Sequence, residues 1–391
     1  MKVLPWLPAL LGVLSAIGPL STDMYLPAFP EIEAALHSGV GSAQITMASY
    51  FAGLAVGQIT QGTLSDRFGR RFPLLLGMSI YTIATIGCAL APNLLWLSLF
   101  RAASAFGASA SAVVTRAMVR DLADGQAAAR MMSQLMLTMG AAPILAPSLG
   151  GLVLHVWGWQ AIFWVCAGYG AICLACVIWL LPETLPRSGR VQLGVAAQIH
   201  RYAMVLGERG FITNSTMGGM AMFGMFAYLA GSPPVFITYF QLPASSYGIL
   251  FGVCASGFIV ASQINPRILG RFGPRAVSRT AMRVMLAATA VLAVLAFTGT
   301  ATWWSVGLCV FAAMSSQGFT MPNATVGAMA RHAAHAGSAS AMMGTLQFML
   351  AGFAGLAVGL LGDGTPRAMA GLMLLGAIGA NIAETLRPKI R

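Results

Sequence analysis

The chain has 391 residues, 58% hydrophobic and only 8% Asp, Glu, Lys or Arg, against roughly 25% charged in ordinary globular proteins. That balance excludes a set of water-soluble domains and predicts an integral membrane protein with many spans. The net charge of +12 would raise nucleic acid as a partner of a soluble protein, but here the basic residues fall in clusters between apolar runs, which points to a lipid bilayer and to no nucleic acid.

A span needs about 20 mainly apolar residues. In chain order such runs cover 5–27, 43–65, 73–91, 95–116, 132–154 and 159–181. After a polar, basic stretch that opens PETLPRSGRVQLG, they resume at 211–231, 246–266, 276–298, 303–325, 338–361 and 367–386. Residues 1–181 and 211–391 are therefore expected to form two six-span halves joined by a cytoplasmic linker, 182–210. The first run lacks a small-x-small cleavage site and is read as a span rather than a signal peptide. The links alternate between basic clusters and segments without Lys or Arg (28–42, 92–94, 155–158, 232–245, 299–302). The positive-inside rule puts the clusters, and with them both termini, in the cytoplasm. Arg101 and Arg367 stand apart from every cluster.

The six cysteines lie within apolar runs. The CxxC spacing of CLAC (173–176) has only apolar neighbours, so packing is expected there and neither metal nor redox chemistry. The five histidines fall at run ends or in loops and read as solvated. GTLSDRFGRR (62–71) follows the second run of the first half, and PRILGRFGPR (266–275) follows the second run of the second half. Arg67-Phe68-Gly69 thus meets Arg271-Phe272-Gly273, a repeat of the kind secondary transporters carry. Gly270 stands where Asp66 does, so any device built on this loop looks one-sided.

GQITQGTLSDRFGRR (57–71), through Gly62, Asp66, Arg67, Gly69, Arg70 and Arg71, resembles the loop signature of the major facilitator superfamily. LFRAASAFGASASA (99–112) resembles the fourth-helix motif of its drug:proton antiporters, with Arg101 and Gly107 in place and Ser104 where a Gln is usual. AAPILAPSLGG (141–151) is similar to the antiporters' fifth-helix motif, with Ala146 replacing a glycine before Pro147. STDMYLPAFPEI, WQAIF (159–163) and PETL narrow the resemblance to the bicyclomycin-resistance (Bcr/CflA) branch. The resemblance implies an all-α polytopic membrane protein. Twelve transmembrane helices would form two pseudo-symmetric six-helix bundles that rock about a central cavity. It also implies a monomer in a bacterial inner membrane, with Gly62, Asp66, Arg67, Gly69, Arg70 and Arg71 as a conformational latch between bundles.

Asp23 lies in the outer half of the first span. A charge facing lipid costs about 2.5–3.5 kcal/mol, so such a group usually faces a cavity or a partner. Counting 1.5 Å per residue, Arg101 lies about 9 Å and Asp23 about 6 Å below the outer helix ends, so the two opposite charges share a depth. Burial favours a neutral acid and a nearby guanidinium favours the carboxylate. That balance makes Asp23 and Arg101 the candidate proton-coupling pair. The plain alternatives are that Asp23 caps a helix end at water and that Arg101 reaches to the outer surface as an anchor.

For the substrate cavity the seventh span, TMGGMAMFGMFAYLAGSPP (216–234), offers a deformable wall of methionines and aromatics, with Met217, Met220, Phe223 and Phe226 foremost. Lipid-facing or interhelical packing is the alternative for each of these. Tyr25, Tyr50, Gln317 and Gln347 are the polar candidates among the few such residues within spans. Pro143, Pro147, Gly150 and Gly151 read as a bend or hinge. GLAVG occurs at 53–57 and 355–359, and its GxxxG spacing permits close helix contact, here between the second and eleventh spans.

No HExxH, GxSxG, P-loop or dinucleotide fingerprint is present, so neither an enzyme nor ATP drive is expected. The expectation is export of small, mostly apolar compounds driven by proton entry, with no cofactor. Transport of one defined metabolite is the alternative.

Overall fold

Residues 6–39, 41–122, 131, 135, 145–187, 190, 195–332 and 336–388 are described by the computed structural model. With no water in the hydrocarbon core, a spanning backbone must satisfy its own hydrogen bonds, and all of the described spans are helical. In the first half, α1 (Leu7–Ser15) and α2 (Ile17–Asp23) form a broken first span, followed by a 3-10 turn (Leu26–Ala28) and α3 (Phe29–Ala35). Then come α4 (Ser42–Phe68), α5 (Arg71–Ala89), α6 (Leu94–Leu122), α7 (Leu145–Trp157) and α8 (Trp159–Trp179).

Helix α9 (Val195–Gly207) precedes the second half. That half comprises α10 (Arg209–Pro233), a π-helical turn (Pro234–Tyr239), α11 (Ala244–Phe272), α12 (Pro274–Thr298), α13 (Trp303–Met329), α14 (Ala336–Leu361) and α15 (Pro366–Thr385). The twelve expected runs correspond to α1 with α2, α4 to α8, and α10 to α15; of the fifth run, 132–134 and 136–144 lie outside the described residues. Among the described residues nine helices are long and apolar enough to cross a membrane. Helices α4 and α13 fall short of that hydropathy because they carry Gln44, Gln58 and Gln61, and Gln317, Thr320 and Asn323, all buried. Helix α9 was not expected. It packs Val205, with Tyr202 alongside, onto Phe211, Ala328 and Met342.

The repeat is visible in three dimensions. Gly69 (φ 96°) ends α4 and Gly273 (φ 76°) ends α11, each in a conformation that L side chains rarely adopt. In both copies the arginine two residues earlier lies 5.4 Å from the ring of the intervening phenylalanine. Within the first half α6 packs on α4, α5 and α1, and α5 on α8; within the second, α13 packs on α11 and α12, and α10 on α13, α14 and α15. The seam between halves is chiefly α4 against α14.

We call the end carrying Arg67–Arg71 the basic end. At the opposite end the halves are sealed. A Cβ on Gly41 would sit 2.5 Å from the carbonyl oxygen of Gly359, so the two backbones touch. Gln44 Nε2 donates to the Ala230 carbonyl at 3.2 Å. The 3-10 turn abuts α10 and α11, and α3 abuts the π-helical turn. Glu33 Oε1 accepts from the N–H groups of Gly41 (2.9 Å) and Ala43 (3.1 Å), and Glu31 accepts from Trp159 N–H (3.2 Å). Two glutamates of α3 thus satisfy the free donors that open α4 and α8.

Of the two GLAVG segments, the second presents its glycines across the seam, while the first meets α14 through the Ala55 carbonyl, which accepts from Thr345 Oγ1 at 3.2 Å. Gly355 and Gly359 approach Ala48, Gly41 and Gln44, whereas Gly53 presses on the Ala102 carbonyl and Gly57 on Ser109 of α6, within the first half. His332 departs from the solvated reading: its side chain is 11% exposed, 3.5 Å from Glu208, and its ring meets Phe211 edge-on.

Candidate functional site

Arg101 is 2% exposed, in the middle of the first half. Its guanidinium lies 4.2 Å from the Tyr50 ring centre, 4.4 Å from that of Tyr25 and 5.9 Å from that of Phe163. Desolvated contacts of this kind are worth about 2 kcal/mol each, which offsets part of the cost of removing the cation from water. Nη1 donates to the Ser21 carbonyl at 2.8 Å, while Nε and Nη2 are buried without a hydrogen-bond partner. Arg101 therefore does not reach to a surface.

Asp23 ends α2 and is 4% exposed. The Arg101–Ser21 bond places the guanidinium beside the turn that bears Asp23, at the shared depth expected from counting residues. No ion pair joins the two among the described residues; the nearest fixed bond of Arg101 goes to backbone instead. Asp23 does not cap a helix at water either: the following 3-10 turn has no side-chain cap. Thr22 turns its hydroxyl back to the carbonyls of Gly18 and Pro19 (3.2 and 3.1 Å). Tyr50, from the same half, and Tyr228 and Tyr247, from the other, lie within electrostatic reach of Asp23.

Around this pair the polar groups are only partly satisfied. Ser21 Oγ and Tyr81 OH are 2.6 Å apart, Ser232 Oγ and Tyr247 OH 2.9 Å, and the Tyr25 hydroxyl bonds with Thr46. The hydroxyls of Tyr50 and Tyr228 are buried with no partner, as are, farther along α4 and on α13, both polar atoms of Gln61 and Gln317 Oε1. A buried polar atom left unpaired costs about 1–3 kcal/mol, so such atoms along a seam mark where a ligand or water would bond.

The expected substrate residues divide. Tyr25 and Tyr50 form the walls around Arg101. Phe226 crosses the seam, its ring 4.2 Å from Phe51 of α4, which stacks on Phe348 of α14 at 6.3 Å. Met217 and Phe223 are buried in the same apolar cluster. Gln347 points at Gly218 of α10, and Gln317 is buried on α13. Met220 is placed elsewhere: its side chain fills the space left by Gly379 of α15, away from the seam. Phe51 and Phe348 were missed, because an aromatic in an apolar run gives no sign of its direction.

The loop signature forms one network around the buried Arg70. Arg70 binds Asp121 through Nε (2.6 Å) and Nη2 (3.2 Å), and Asp66 and Ser65 through Nη1 (both 2.7 Å). Glu183 accepts from the backbone N–H of Arg70 (2.8 Å) and Arg71 (3.3 Å), satisfying the start of α5. Arg71 reaches the Ile178 carbonyl, and Arg67 lies over Phe68. A side chain at Gly69 would strike Glu183, and Gly62 lies against Val113 and, across the seam, Ala341. The network ties α4, α5, α6 and the end of α8 within one half. The second copy, with Gly270 where Asp66 stands, also holds a carboxylate. Its carboxylate comes from α15, where buried Glu384 lies 3.5 Å from Arg275, 3.7 Å from Arg279 and 3.5 Å from Arg387.

Of the expected hinge, Pro143 lies outside the described residues, and Pro147 lies in the first described turn of α7. Gly150 admits the Met24 carbonyl, which would be 2.0 Å from a Cβ, and Gly151 faces Ala244 of α11. Ser148 is in turn pressed against Gly248 of α11. Here these glycines serve close approach, bringing α7 onto the turn after Asp23 and onto the other half.

Three comparisons bear on this arrangement. The chain is 32% identical over 376 residues to an uncharacterized MFS-type transporter, YdgK, of Bacillus subtilis, covering 96% of this chain and 93% of that protein. It is 26% identical over 346 residues to a bicyclomycin resistance protein homolog of Haemophilus influenzae, covering 88% and 86%. The crystal structure of a D-xylose-proton symporter superposes with a TM-score of 0.75 at 13% identity, covering 95% of this chain and 96% of that one, which speaks to fold alone. The sequence model of the Major Facilitator Superfamily matches residues 11–356. An all-helical fold among the described residues, a duplicated basic loop and these sequence matches make the chain a member of the Major Facilitator Superfamily, a membrane transporter and not an enzyme.

Proposed function

We propose that the protein exports small, mostly apolar, drug-like compounds in exchange for protons, by alternating exposure of a site at the seam. The observation that carries this reading is that Asp23 and Arg101, a carboxyl and a guanidinium, are both buried in the first half, with Arg101 bonded to the Ser21 carbonyl and no ion pair between the two. An acid free of a permanent partner can take up and release a proton as substrate or tilting of the halves changes its surroundings. A potential of 100 mV drives one proton inward with about 2.3 kcal/mol, enough for roughly a fifty-fold solute gradient. The resistance protein homolog among the relatives supports the class of solute.

In this reading residues 1–181 and 211–391 are the moving bundles, joined by 182–210. The protein acts as a monomer in a bacterial inner membrane with its basic end and both termini cytoplasmic, and the sealed end faces outward. Phe51, Phe226 and Phe348 would form part of the apolar contact that substrate parts. The loop network around Arg70 would hold the first bundle rigid while it rocks and latch against the second in the opposite state.

The test is transport in vesicles. Cells overproducing the protein are screened for raised tolerance to a compound panel, and a hit is followed in everted membrane vesicles. An imposed proton gradient, acidic on the vesicle inside, should load the compound, and collapse of the gradient should release it. Loading indifferent to the gradient would refute proton exchange, and tolerance confined to a single metabolite would refute the drug class.

A further inference from the structure

A cleft of about 530 Å³ opens on the outer flank of the second half, between α11, α12 and α13. Phe272, Ala276, Thr280, Val284, Phe311 and Phe319 line it. Phe272 is 61% and Val284 48% exposed, so the cleft faces the surroundings of the bundle and not the seam. The hydroxyls of its two serines, Ser315 and Ser316, are bonded to backbone carbonyls of their own helix, which leaves the lining apolar. Within the stretch of α13 that lines the cleft, α11 and α13 touch, with Gly318 admitting the Phe258 carbonyl. Pro266 of α11 and Pro322 of α13 lie on the basic side of that crossing.

Along α12 the lining of the cleft runs from Ala276, near the basic end, to Val284, ten residues from Pro274, or about 15 Å, half of a hydrocarbon core about 30 Å thick. Along α13 the cleft continues to Phe311, eighteen residues from Met329, or about 27 Å. Its mouth lies at the basic end, where Arg267, Arg271, Arg275, Arg279 and Arg283 are gathered. Among the described residues the ion pairs formed here go to Glu384, from Arg275, Arg279 and Arg387. Arg267, Arg271 and Arg283 enter none, and all three are exposed. Arg283 starts deepest and can extend back to the headgroup level along its own stem.

We infer that this cleft is a specific site for an anionic phospholipid of the basic-side leaflet, one acyl chain in the apolar cleft and the phosphate held by Arg271 and Arg283. An apolar slot alone would take any chain; the surplus of unpaired guanidinium groups at its mouth is what selects charge, at about fivefold for each arginine near the headgroup. The inference is independent of what the protein exports.

Native mass spectrometry of the detergent-purified protein with equimolar phosphatidylglycerol and phosphatidylcholine of identical chains tests it. The unaltered protein should carry phosphatidylglycerol over phosphatidylcholine by about tenfold or more, given two arginines. Arg271→Gln with Arg283→Gln should bring that ratio close to one while binding of either lipid persists. Thr280→Trp, which fills the cleft, should reduce both lipids severalfold; Ala276→Leu serves the same end if the tryptophan variant does not yield folded protein. A ratio near one in the unaltered protein would overturn the inference. So would undiminished lipid binding when the cleft is filled, which would place the lipid elsewhere on the arginine surface.

Discussion

Arg101 bonds to the backbone two residues before Asp23 and makes no ion pair with Asp23 itself. The rings of Tyr25 and Tyr50 offset part of the cost of burying its charge, and Asp23 is held in no ion pair. The arrangement differs from a salt bridge, where each group would fix the other's protonation.

That difference predicts the behaviour of Arg101→Lys. Lysine keeps the charge but lacks the planar fork that lies between two rings and reaches the Ser21 carbonyl. Losing about 1–2 kcal/mol of stacking should lower transport on the order of tenfold, with the protein still folded. Initial rates in everted vesicles, with size-exclusion profiles as the folding control, check this.

Arg70→Ala should destabilise the protein by about 1–3 kcal/mol, because it leaves the part-buried carboxylate of Asp121 unpaired and releases Asp66 and Ser65. Arg67→Ala, which removes only a contact with its neighbour Phe68, should cost less than 1 kcal/mol. Thermal unfolding in detergent, followed by intrinsic fluorescence, separates the two.

Much of the fold was legible in the sequence because lipid imposes a continuous apolar run on every span, and the turn glycines Gly69 and Gly273 mark the repeat. Asp23 and Arg101 were legible because a charge inside such a run is costly. Their partners were not. The rings around Arg101 come from α4, α8 and the segment after α2, and Asp121, Glu183 and Glu384 reach their arginines across gaps in sequence that no local pattern spans. Met220 misled because a methionine on a spanning helix has the same chemistry whether it faces the seam or α15. Helix α9, VAAQIHRYAMVLG, was hidden because it is too short to read as a span and lies in the linker stretch.

Gly150→Val should abolish transport and lower stability, since its side chain would enter the Met24 carbonyl and push α7 off the turn that follows Asp23. Gly168→Ala on α8, where a Cβ meets nothing within 4 Å, should leave transport intact and add up to about 1 kcal/mol of stability. Paired transport and unfolding measurements on the two variants check the contrast.

The sealed end offers a lock. Gln44→Cys with Ala230→Cys, joined by a short thiol-reactive crosslinker, should hold α4 to α10 and stop transport; a cleavable linker should restore it on reduction. Continued transport by the crosslinked protein would mean that this end does not part during the cycle.

The most direct measurement concerns the proton at Asp23. In proteoliposomes with an entrapped pH dye, addition of a transported compound should drive a proton flux through the unaltered protein. Asp23→Asn should show none, while retaining its unfolding temperature and its binding of the compound. An undiminished flux through Asp23→Asn would contradict the account, because the exchanged proton would then travel by some other group.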